Sequence, residues 1–368
     1  MPVKTKNIHE IFCCPYCGGS LSSSSDILSE CVECKEIFQV KENIPVFNKQ
    51  DLYWCNFPKE VMTKLNKKAE EEGYEKALED VIEDKDIREY MVEEGRIDPL
   101  FFLPVTKDSV VLDVGCKWGG LTIPVSGYCK TIVGIDATYE TVKFLDIRKR
   151  QMKKDNIHLA SASALEMPFK ENSFDVVILN GVLEWLGYGT SFDATKDYGT
   201  KVSNLKIHNE KPDKMQKKAL ENIYRVLKPG GVLLIGIENR FGLHYFFGMP
   251  EDHANLKYVG LMPRGIANWY MKKKLNREFR TYTYSMPALR NILKSIGFND
   301  IEFFASFPSY REPDYIFSLG KPELLKYFMK NHNKSMSKNP VKRAIWSFLV
   351  NTGLYKFFVP SFLVIAGK

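Results

Sequence analysis

The chain has 368 residues, more than one average domain, which predicts a main domain with one or two smaller modules. Apolar residues make up 44% and charged residues 26%, proportions that are ordinary for a soluble globular protein and allow a sizeable core. The formal charge of +7 is mildly basic, and it does not distinguish nucleic-acid binding, an anionic membrane surface or solvated helix faces.

The first residues and the cysteines indicate the compartment. The opening Met-Pro-Val-Lys-Thr-Lys lacks the apolar stretch of a secretory signal. Eight cysteines in this length do not indicate a secreted disulfide scaffold, so we expect a reducing, cytoplasmic location. Residues 344–366 are apolar but are interrupted before about 20 apolar residues accumulate, which argues against a spanning helix. Peripheral contact with a membrane surface stays open there.

Residues 1–49 are short, turn-rich and carry two C-x-x-C pairs, Cys14 with Cys17 and Cys31 with Cys34. The 13 residues between the pairs let four thiolates converge tetrahedrally on one Zn²⁺. A module this small cannot build an adequate core, so the metal would itself stabilise the fold. We predict a zinc ribbon with structural zinc, because four thiolates leave no open position for catalysis. Free or redox-active cysteines are the alternative.

The rest of the chain divides into a helical linker and an alternating region. Within residues 50–104, the stretch from about Pro58 to Glu94 has few breakers and apolar residues at helical spacing, which predicts helix. In residues 105–239 short apolar stretches alternate with helical ones, which predicts an α/β fold with a doubly wound parallel sheet. Its predicted strands are Val110–Val114, Thr131–Ile135, Ile157–Ala160, Phe174–Leu179 and Val232–Ile237.

Residues 240–368 are less regular and predict insertions that form a lid over a substrate. A helix is expected at about Met286–Ile296, followed by a strand at Ile301–Phe304. The apolar run Phe362–Ala366 predicts a final strand that completes the sheet.

The segment from Val111 to Gly120 ends a predicted buried strand and opens a helix. Ligands of open α/β sheets bind beyond the carboxyl ends of the strands, where glycine lets a ligand approach the backbone. A dinucleotide fingerprint needs G-x-G-x-x-G, and Lys117 occupies the second glycine position, so NAD is disfavoured. Asp136 lies 21 residues after Gly115 and can accept hydrogen bonds from two ribose hydroxyls. A helix N-cap is the alternative role of Asp136.

Four segments together resemble class I S-adenosylmethionine-dependent methyltransferases. The first segment, with Asp113, Gly115 and Gly119, resembles their motif I, D-x-G-x-G-x-G, from which Lys117 departs. The other segments resemble the family's "LPF…SFDVV" stretch, the motif after strand four and the turn before strand five; they are Leu165–Phe169 with Ser173–Val177, Asn180–Trp185 and Arg225–Gly231.

The resemblance implies a Rossmann-like, seven-stranded methyltransferase sheet with S-adenosylmethionine as cofactor. It places the methionine part of the donor in the glycine loop, the ribose at the end of the second strand, the adenine after the third and the sulfonium after the fourth. The implied contacts are, in that order, Asp113, Gly115, Cys116 and Gly119; Asp136 and Ala137; Ser163 and Ala164; and Asn180 and Glu184. Many relatives have Asp where Ser163 stands.

Three motifs outside this core, Gly236–Gly242, Glu251–His253 and Pro313–Tyr315, resemble a poorly characterised bacterial and archaeal group of these methyltransferases. Members of that group often occur among functions of cell-surface polysaccharide or glycolipid biosynthesis. The resemblance covers roughly residues 60–320 and identifies no substrate.

Methyl transfer needs a base only where the acceptor must lose a proton, as a hydroxyl does. His253, flanked by Asp252, is the candidate base, and His244 is the second choice. The alternative is that each is an ordinary surface or core histidine. A polar-aromatic group in the C-terminal part is the candidate acceptor site; its members are Tyr310, Arg311, Asp314 and Tyr315. The alternative is that these side chains only pack within an ordinary loop.

We therefore expect O-methylation of a small-molecule or glycan-type acceptor, with nucleic acid not favoured as a partner and the oligomeric state left open. One alternative is an RNA methyltransferase that contacts RNA through its zinc ribbon. The basic charge favours this alternative. The sequence has no obvious stripe of basic residues interleaved with aromatics, which counts against it. The other alternative is a non-catalytic adaptor with a methyltransferase-like fold, favoured by the departures at Lys117 and Ser163.

Overall fold

The computed structural model describes residues 11–24, 27–49, 53–93, 95–188, 210–328 and 339–368. The long connection expected after the fourth core strand lies largely outside these residues. The strands are β1 (Leu21–Ser24), β2 (Ile27–Cys31), β3 (Gln39–Lys41), β4 (Ile44–Val46), β5 (Val110–Val114), β6 (Thr131–Asp136), β7 (Ile157–Ser161), β8 (Phe174–Asn180), β9 (Leu227–Glu238), β10 (Asn299–Pro308), β11 (Pro313–Ser318) and β12 (Ser361–Gly367). The helices are α1 (Lys59–Glu72), α2 (Tyr74–Val81), α3 (Lys85–Val92), α4 (Thr122–Ser126), α5 (Tyr139–Gln151), α6 (Pro212–Val226), α7 (Leu243–Phe246), α8 (Arg264–Leu275), α9 (Met286–Ile296) and α10 (Pro340–Thr352).

The centre of the molecule is a mostly parallel sheet, as the alternating sequence predicts. Its strand order in the described residues is β11-β10-β12-β9-β8-β5-β6-β7-β4-β3. Strands β5 to β9 pair in parallel, and the chain runs outward from β5 in both directions. The carboxyl ends of β5 and β8 therefore flank the point where strand order reverses, which is where open α/β sheets bind ligands. The α/β fold class is confirmed.

The sheet is larger than the seven strands expected, because ten strands join it within the described residues. The final strand β12 lies antiparallel between β9 and β10, as a strand that completes the sheet. An additional strand, β11, pairs with β10 as an antiparallel hairpin and includes the Pro313–Tyr315 motif. The other additions are β3 and β4, which belong to the cysteine-rich segment.

The cysteine-rich segment packs onto the main sheet. Val46 of β4 pairs in parallel with Ser161 of β7 and so extends the sheet edge. Phe12 packs between Phe47 and Phe169, with ring centroids 5.6 and 5.2 Å apart. All three rings are buried, which ties the module to the core by the removal of aromatic surface from water.

The predicted helical stretch after this module is divided into α1, α2 and α3 within residues 53–93. Gly73, with φ 95°, separates the first two helices. Asp84 caps the third, and its side chain accepts hydrogen bonds from the amides of Asp86 and Ile87. The helices bury a cluster against α5 that includes Phe144 and Trp118. The layer thereby covers the glycine-rich segment that follows β5.

Residues 344–366 divide into the end of α10, a 3-10 turn at Leu354–Phe357 and strand β12. Their apolar side chains pack on the sheet, where Phe362 and Val364 are buried. Among the described residues, the structure has no helix with the length and apolar character needed to cross a bilayer.

Candidate functional site

A cavity of about 340 Å³ opens at the carboxyl ends of β5, β6 and β8. Eight of the ten residues that the family resemblance implies for donor contact line it: Asp113, Gly115, Cys116, Asp136, Ala137, Ser163, Ala164 and Asn180. Gly119 does not line the cavity but lies between the lining residues Trp118 and Gly120 in the same loop. Glu184, the remaining one of the ten, is fully buried and does not line the cavity. The location is the one that the strand order predicts for a ligand.

The glycine loop is pressed against the neighbouring strand. The amides of Gly115 and Cys116 both donate to the carbonyl of Ile135, at 2.8 and 3.0 Å. Gly119 has φ +91°, and a Cβ there would lie 2.2 Å from Cδ1 of Leu145. Glycine is therefore required at this position both for the backbone conformation and for close packing on α5.

Lys117 departs from the family motif but leaves the loop bend open. Its backbone has φ +43°, a conformation that glycine adopts more easily. Its side chain extends towards the helical layer, where Nζ lies 3.3 Å from Oδ1 of Asn56. Its amide donates to Oδ2 of Asp136 at 3.1 Å, so the carboxylate faces the loop.

Asp136 is one of two buried acidic residues that line the cavity in the described part of the chain, the other being Asp113. Its Oδ1 accepts from the amide of Thr138 at 2.9 Å, which is a local turn contact of the kind that the N-cap alternative implies. Each carboxylate oxygen has a second lone pair left for a ligand. Burial raises the pKa of Asp136, and the backbone hydrogen bonds and the charge of Lys117 oppose that rise.

The wall beyond Asp136 is fixed by backbone contacts. The amide of Leu165 donates to Oγ of Ser163 at 3.2 Å, and Nδ2 of Asn222 donates to the carbonyl of Ala164 at 3.1 Å. Asn180, at the end of β8, has a buried Oδ1 with no hydrogen-bond partner among the described residues. Gly236 is required beside it, since a Cβ there would lie 1.8 Å from that oxygen.

The remainder of the cavity has an aromatic wall, defined here as Tyr53, Trp54, Tyr90, Trp185 and Tyr310. The rings of Trp54 and Trp185 meet edge to face with centroids 4.7 Å apart. Arg311 adds a cation to this wall. The chamber thus combines flat aromatic surfaces with three tyrosine hydroxyls and one guanidinium group.

A group of buried charges lies behind the aromatic wall. The hydroxyl of Tyr310 lies 3.4 Å from Oε1 of Glu184, and Nη2 of Arg311 lies 3.2 Å from Oε1 of Glu238. Nε2 of His253 lies 3.8 Å from a carboxylate oxygen of each of these glutamates. We call Glu184, Glu238 and His253 the buried triad.

The predicted catalytic residues lie outside the set that lines the cavity. His253 was expected to pair with Asp252, but its Nδ1 contacts Oε1 of Glu251 at 2.7 Å instead. Asp252 is exposed and accepts a hydrogen bond from the hydroxyl of Tyr245. The alternation of side chains around the turn explains the difference, because it directs residues 251 and 253 inward and residue 252 outward.

His244, the second candidate base, packs on the ring of Tyr245 with centroids 3.9 Å apart. Burial lowers the pKa of His244 and keeps the ring neutral. Neither His244 nor His253 is among the described residues that line the cavity.

Of the four predicted acceptor residues, the structure brings two to the cavity. Tyr310 and Arg311 line it, whereas Asp314 and Tyr315 lie on β11 and are exposed. Tyr315 packs on Phe328 with ring centroids 4.5 Å apart. Sequence reasoning missed Glu238 and the aromatic residues before α1. Glu238 lies in the Gly236–Gly242 motif that was identified in the sequence. No sequence pattern pointed to the aromatic residues before α1.

The four cysteines of the two C-x-x-C pairs converge. Sγ of Cys14 lies 3.6 Å from that of Cys34, and Sγ of Cys17 lies 3.4 Å from that of Cys31. All four sulfurs lie within 4.8 Å of one another. Tetrahedral zinc with Zn–S bonds of about 2.3 Å needs sulfurs about 3.8 Å apart, so the donor set fits that ion.

Comparison with known proteins bears on the region that holds the cavity. Residues 105–275 match a family described as "Methyltransferase domain". The chain is 24% identical over 219 residues to a demethylmenaquinone methyltransferase of Oceanobacillus iheyensis, over 56% of this chain and 76% of that protein. It is 28% identical over 162 residues to the mitochondrial ubiquinone biosynthesis O-methyltransferase of Rattus norvegicus, over 43% of this chain and 38% of that protein.

Among solved structures, a SAM-dependent methyltransferase of Methanosarcina mazei aligns with a TM-score of 0.43 at 16% identity, over 73% of this chain and 97% of that one. The family match and the sequence relatives agree with the motifs that line the cavity. Residues 105–275 therefore form a methyltransferase domain, and the family match and the relatives support S-adenosylmethionine as its methyl donor.

Proposed function

We propose that this methyltransferase transfers the methyl group to a hydroxyl oxygen of a ring-bearing small molecule. The observation that carries the proposal is the joining of the glycine loop and the aromatic wall in one cavity. Flat aromatic side chains pack against ring faces, whether quinoid or sugar. Two of the relatives, the demethylmenaquinone methyltransferase and the ubiquinone biosynthesis O-methyltransferase, support the quinoid kind.

The donor's cradle is made by residues of this chain. Gly115 and Gly119 bring the backbone close to the methionine part, and Asp136 presents carboxylate lone pairs to the ribose. The unpartnered Oδ1 of Asn180 would accept a hydrogen bond from the donor's ammonium group. When bound, S-adenosylmethionine supplies a methyl group already activated on a sulfonium.

Tyr310 and Arg311 would hold the acceptor. In the proposed transfer the methyl–sulfur bond of the donor breaks as the methyl–oxygen bond forms, the donor leaves as the neutral thioether S-adenosylhomocysteine, and the hydroxyl proton is released to solvent. The guanidinium of Arg311 stabilises the negative charge that develops on the oxygen. The hydroxyl of Tyr310 fixes the orientation of that oxygen, and positioning supplies much of the rate of methyl transfer. The residues behind the wall hold these two side chains by the contacts to Glu184 and Glu238.

We further propose that the four cysteines hold one structural Zn²⁺. Two of the sulfurs are buried and two are exposed, and all four converge at distances that suit this ion. The site has no position left for substrate, so the zinc stabilises the module and does not take part in methyl transfer.

The test is methyl transfer from radiolabelled S-adenosylmethionine to matched acceptor pools. Hydroxylated quinoid rings, nucleotide sugars, lipid-linked sugars and RNA would be compared under the same conditions, followed by mass spectrometry of the product. Labelled O-methyl ether on a quinoid or sugar ring supports the proposal and decides between the two ring classes. Label confined to RNA, or to carbon atoms of the ring, would contradict it.

A further inference from the structure

The buried triad behind the aromatic wall has an arrangement that the methyl-transfer chemistry does not use. Its members Glu184, Glu238 and His253 are 0%, 7% and 1% exposed. Among the described residues, Oε2 of each glutamate and Nε2 of the histidine have no hydrogen-bond partner. Polar atoms buried without partners are costly, and their occurrence on three residues of one cluster points to a missing common partner.

The distances exclude direct hydrogen bonds within the triad. Nε2 of His253 lies 3.8 Å from Oε1 of Glu184 and 3.8 Å from Oε2 of Glu238. A proton shared between imidazole and carboxylate would bring the two heavy atoms to about 2.7–2.9 Å. Donors around one cation with bonds of about 2.0–2.2 Å lie about 3.0–3.5 Å apart, so a contraction of a few tenths of an ångström suffices.

The other nitrogen of His253 is fixed in the manner of a metal ligand. Nδ1 lies 2.7 Å from Oε1 of Glu251, and Oε2 of Glu251 accepts from the amides of His253 and Ala254. Because the amides hold this carboxylate and Nδ1 lies within hydrogen-bond distance of it, Nε2 is the ring nitrogen that faces Glu184 and Glu238. A carboxylate that orients a histidine in this way is typical of metal centres.

The charge balance of the region also favours a cation. Three buried carboxylates, those of Glu184, Glu238 and Glu251, surround the imidazole. The guanidinium that contacts them is that of Arg311, at 3.2 Å from Glu238. Buried carboxylates are tolerated when they are paired or coordinate a metal.

We propose that Glu184, Glu238 and His253 bind a divalent transition-metal ion, separate from the zinc of the cysteine module. One imidazole nitrogen and two carboxylates suit Mn²⁺, Fe²⁺ or Zn²⁺, whereas Ca²⁺ takes six to eight oxygens. The site goes beyond the proposed methyl transfer. Two of its ligands also contact Tyr310 and Arg311, so the ion holds the acceptor wall in place as a positioning element.

The experiment uses the full chain, stripped of metal and reloaded with one equivalent of Zn²⁺ to fill the cysteine site. Mn²⁺ is then added and the free ion is followed by electron paramagnetic resonance. The proposal predicts one bound Mn²⁺ per chain and none in His253→Gln or Glu238→Gln. The control Glu312→Gln, an exposed carboxylate next to Arg311, should bind as the wild type does.

Titration calorimetry with S-adenosylhomocysteine checks that each variant retains its donor cleft. If the variants do not fold, the wild-type titration still decides. Absence of a bound Mn²⁺ in the zinc-loaded wild type overturns the metal site, as does unchanged binding in folded triad variants. Methyl transfer to a ring hydroxyl by a protein that binds no second metal would leave the proposed function intact and refute only this inference.

Discussion

The two sides of the cavity are built in different ways. The donor side comes from consecutive strand ends of one domain, and its functional groups lie in the turns after β5, β6, β7 and β8. The acceptor side is assembled from segments far apart in the chain, with Trp54 between β4 and α1 and Tyr310 in the turn between β10 and β11. A function held in local turns can be recognised from short motifs, whereas one assembled by long-range packing leaves no such motif.

The largest effect is expected from the module at the edge of the donor side. Replacing the proposed zinc ligand Cys31 with Ser should remove the bound metal and lower the free energy of unfolding by several kcal/mol, because structural zinc contributes about 10 kcal/mol or more in isolated modules. Metal analysis and denaturant unfolding would measure both. Cys13→Ser is the matched control, since Cys13 is buried beside the ligands but outside the converging set. Equal zinc content in both variants would refute the structural zinc.

The glycine loop provides the next test of the donor side. Gly119→Ala places a Cβ against Leu145 in a left-handed backbone, which should cost about 2–4 kcal/mol of unfolding free energy and abolish detectable donor binding. Gly265→Ala is the control, because a Cβ there meets no atom within 4 Å. Its helical position predicts a stability gain of up to about 1 kcal/mol. Similar losses in both variants would show that the loop is not closely packed.

These two tests concern features that the sequence itself indicated. The glycine loop, Asp136 and the four cysteines were predicted because each depends on neighbours within a few residues or on a simple spacing. The pairing of His253 with Glu251 depends on how one turn directs its side chains, whereas the sequence pointed only to the adjacent Asp252. The encounter of Tyr310 with Glu184, 126 residues apart, depends on strand order, which no local pattern contains.

A change on the acceptor side should affect turnover and leave donor binding in place. Arg311→Gln removes the cation from the wall, so we expect kcat/KM to fall about 100-fold, as for the loss of one group that stabilises developing charge. The dissociation constant of S-adenosylhomocysteine should change by less than about threefold. Glu312→Gln, its exposed neighbour, serves as the control. An equal loss of donor affinity would place Arg311 on the donor side and contradict the division of the cavity into a donor side and an acceptor side.

A smaller effect is expected from Asp136→Asn, which keeps the shape but removes the charge. Loss of charge-assisted hydrogen bonds to the ribose should weaken donor binding by about 2 kcal/mol, or about 30-fold. Burial raises the pKa of Asp136, so wild-type affinity should decline as the pH falls towards that raised pKa, and the variant should not show this decline. Asp108→Asn, in the exposed turn before β5, should bind as the wild type does.

The central claim is that the cleft between the glycine loop and Asp136 binds the methyl donor, and calorimetric titration of the full chain with S-adenosylhomocysteine tests it most directly. We predict one binding site per chain, with affinity that Asp136→Asn reduces and Glu312→Gln preserves. Absence of binding heat in the folded wild type would contradict the account and favour the non-catalytic adaptor.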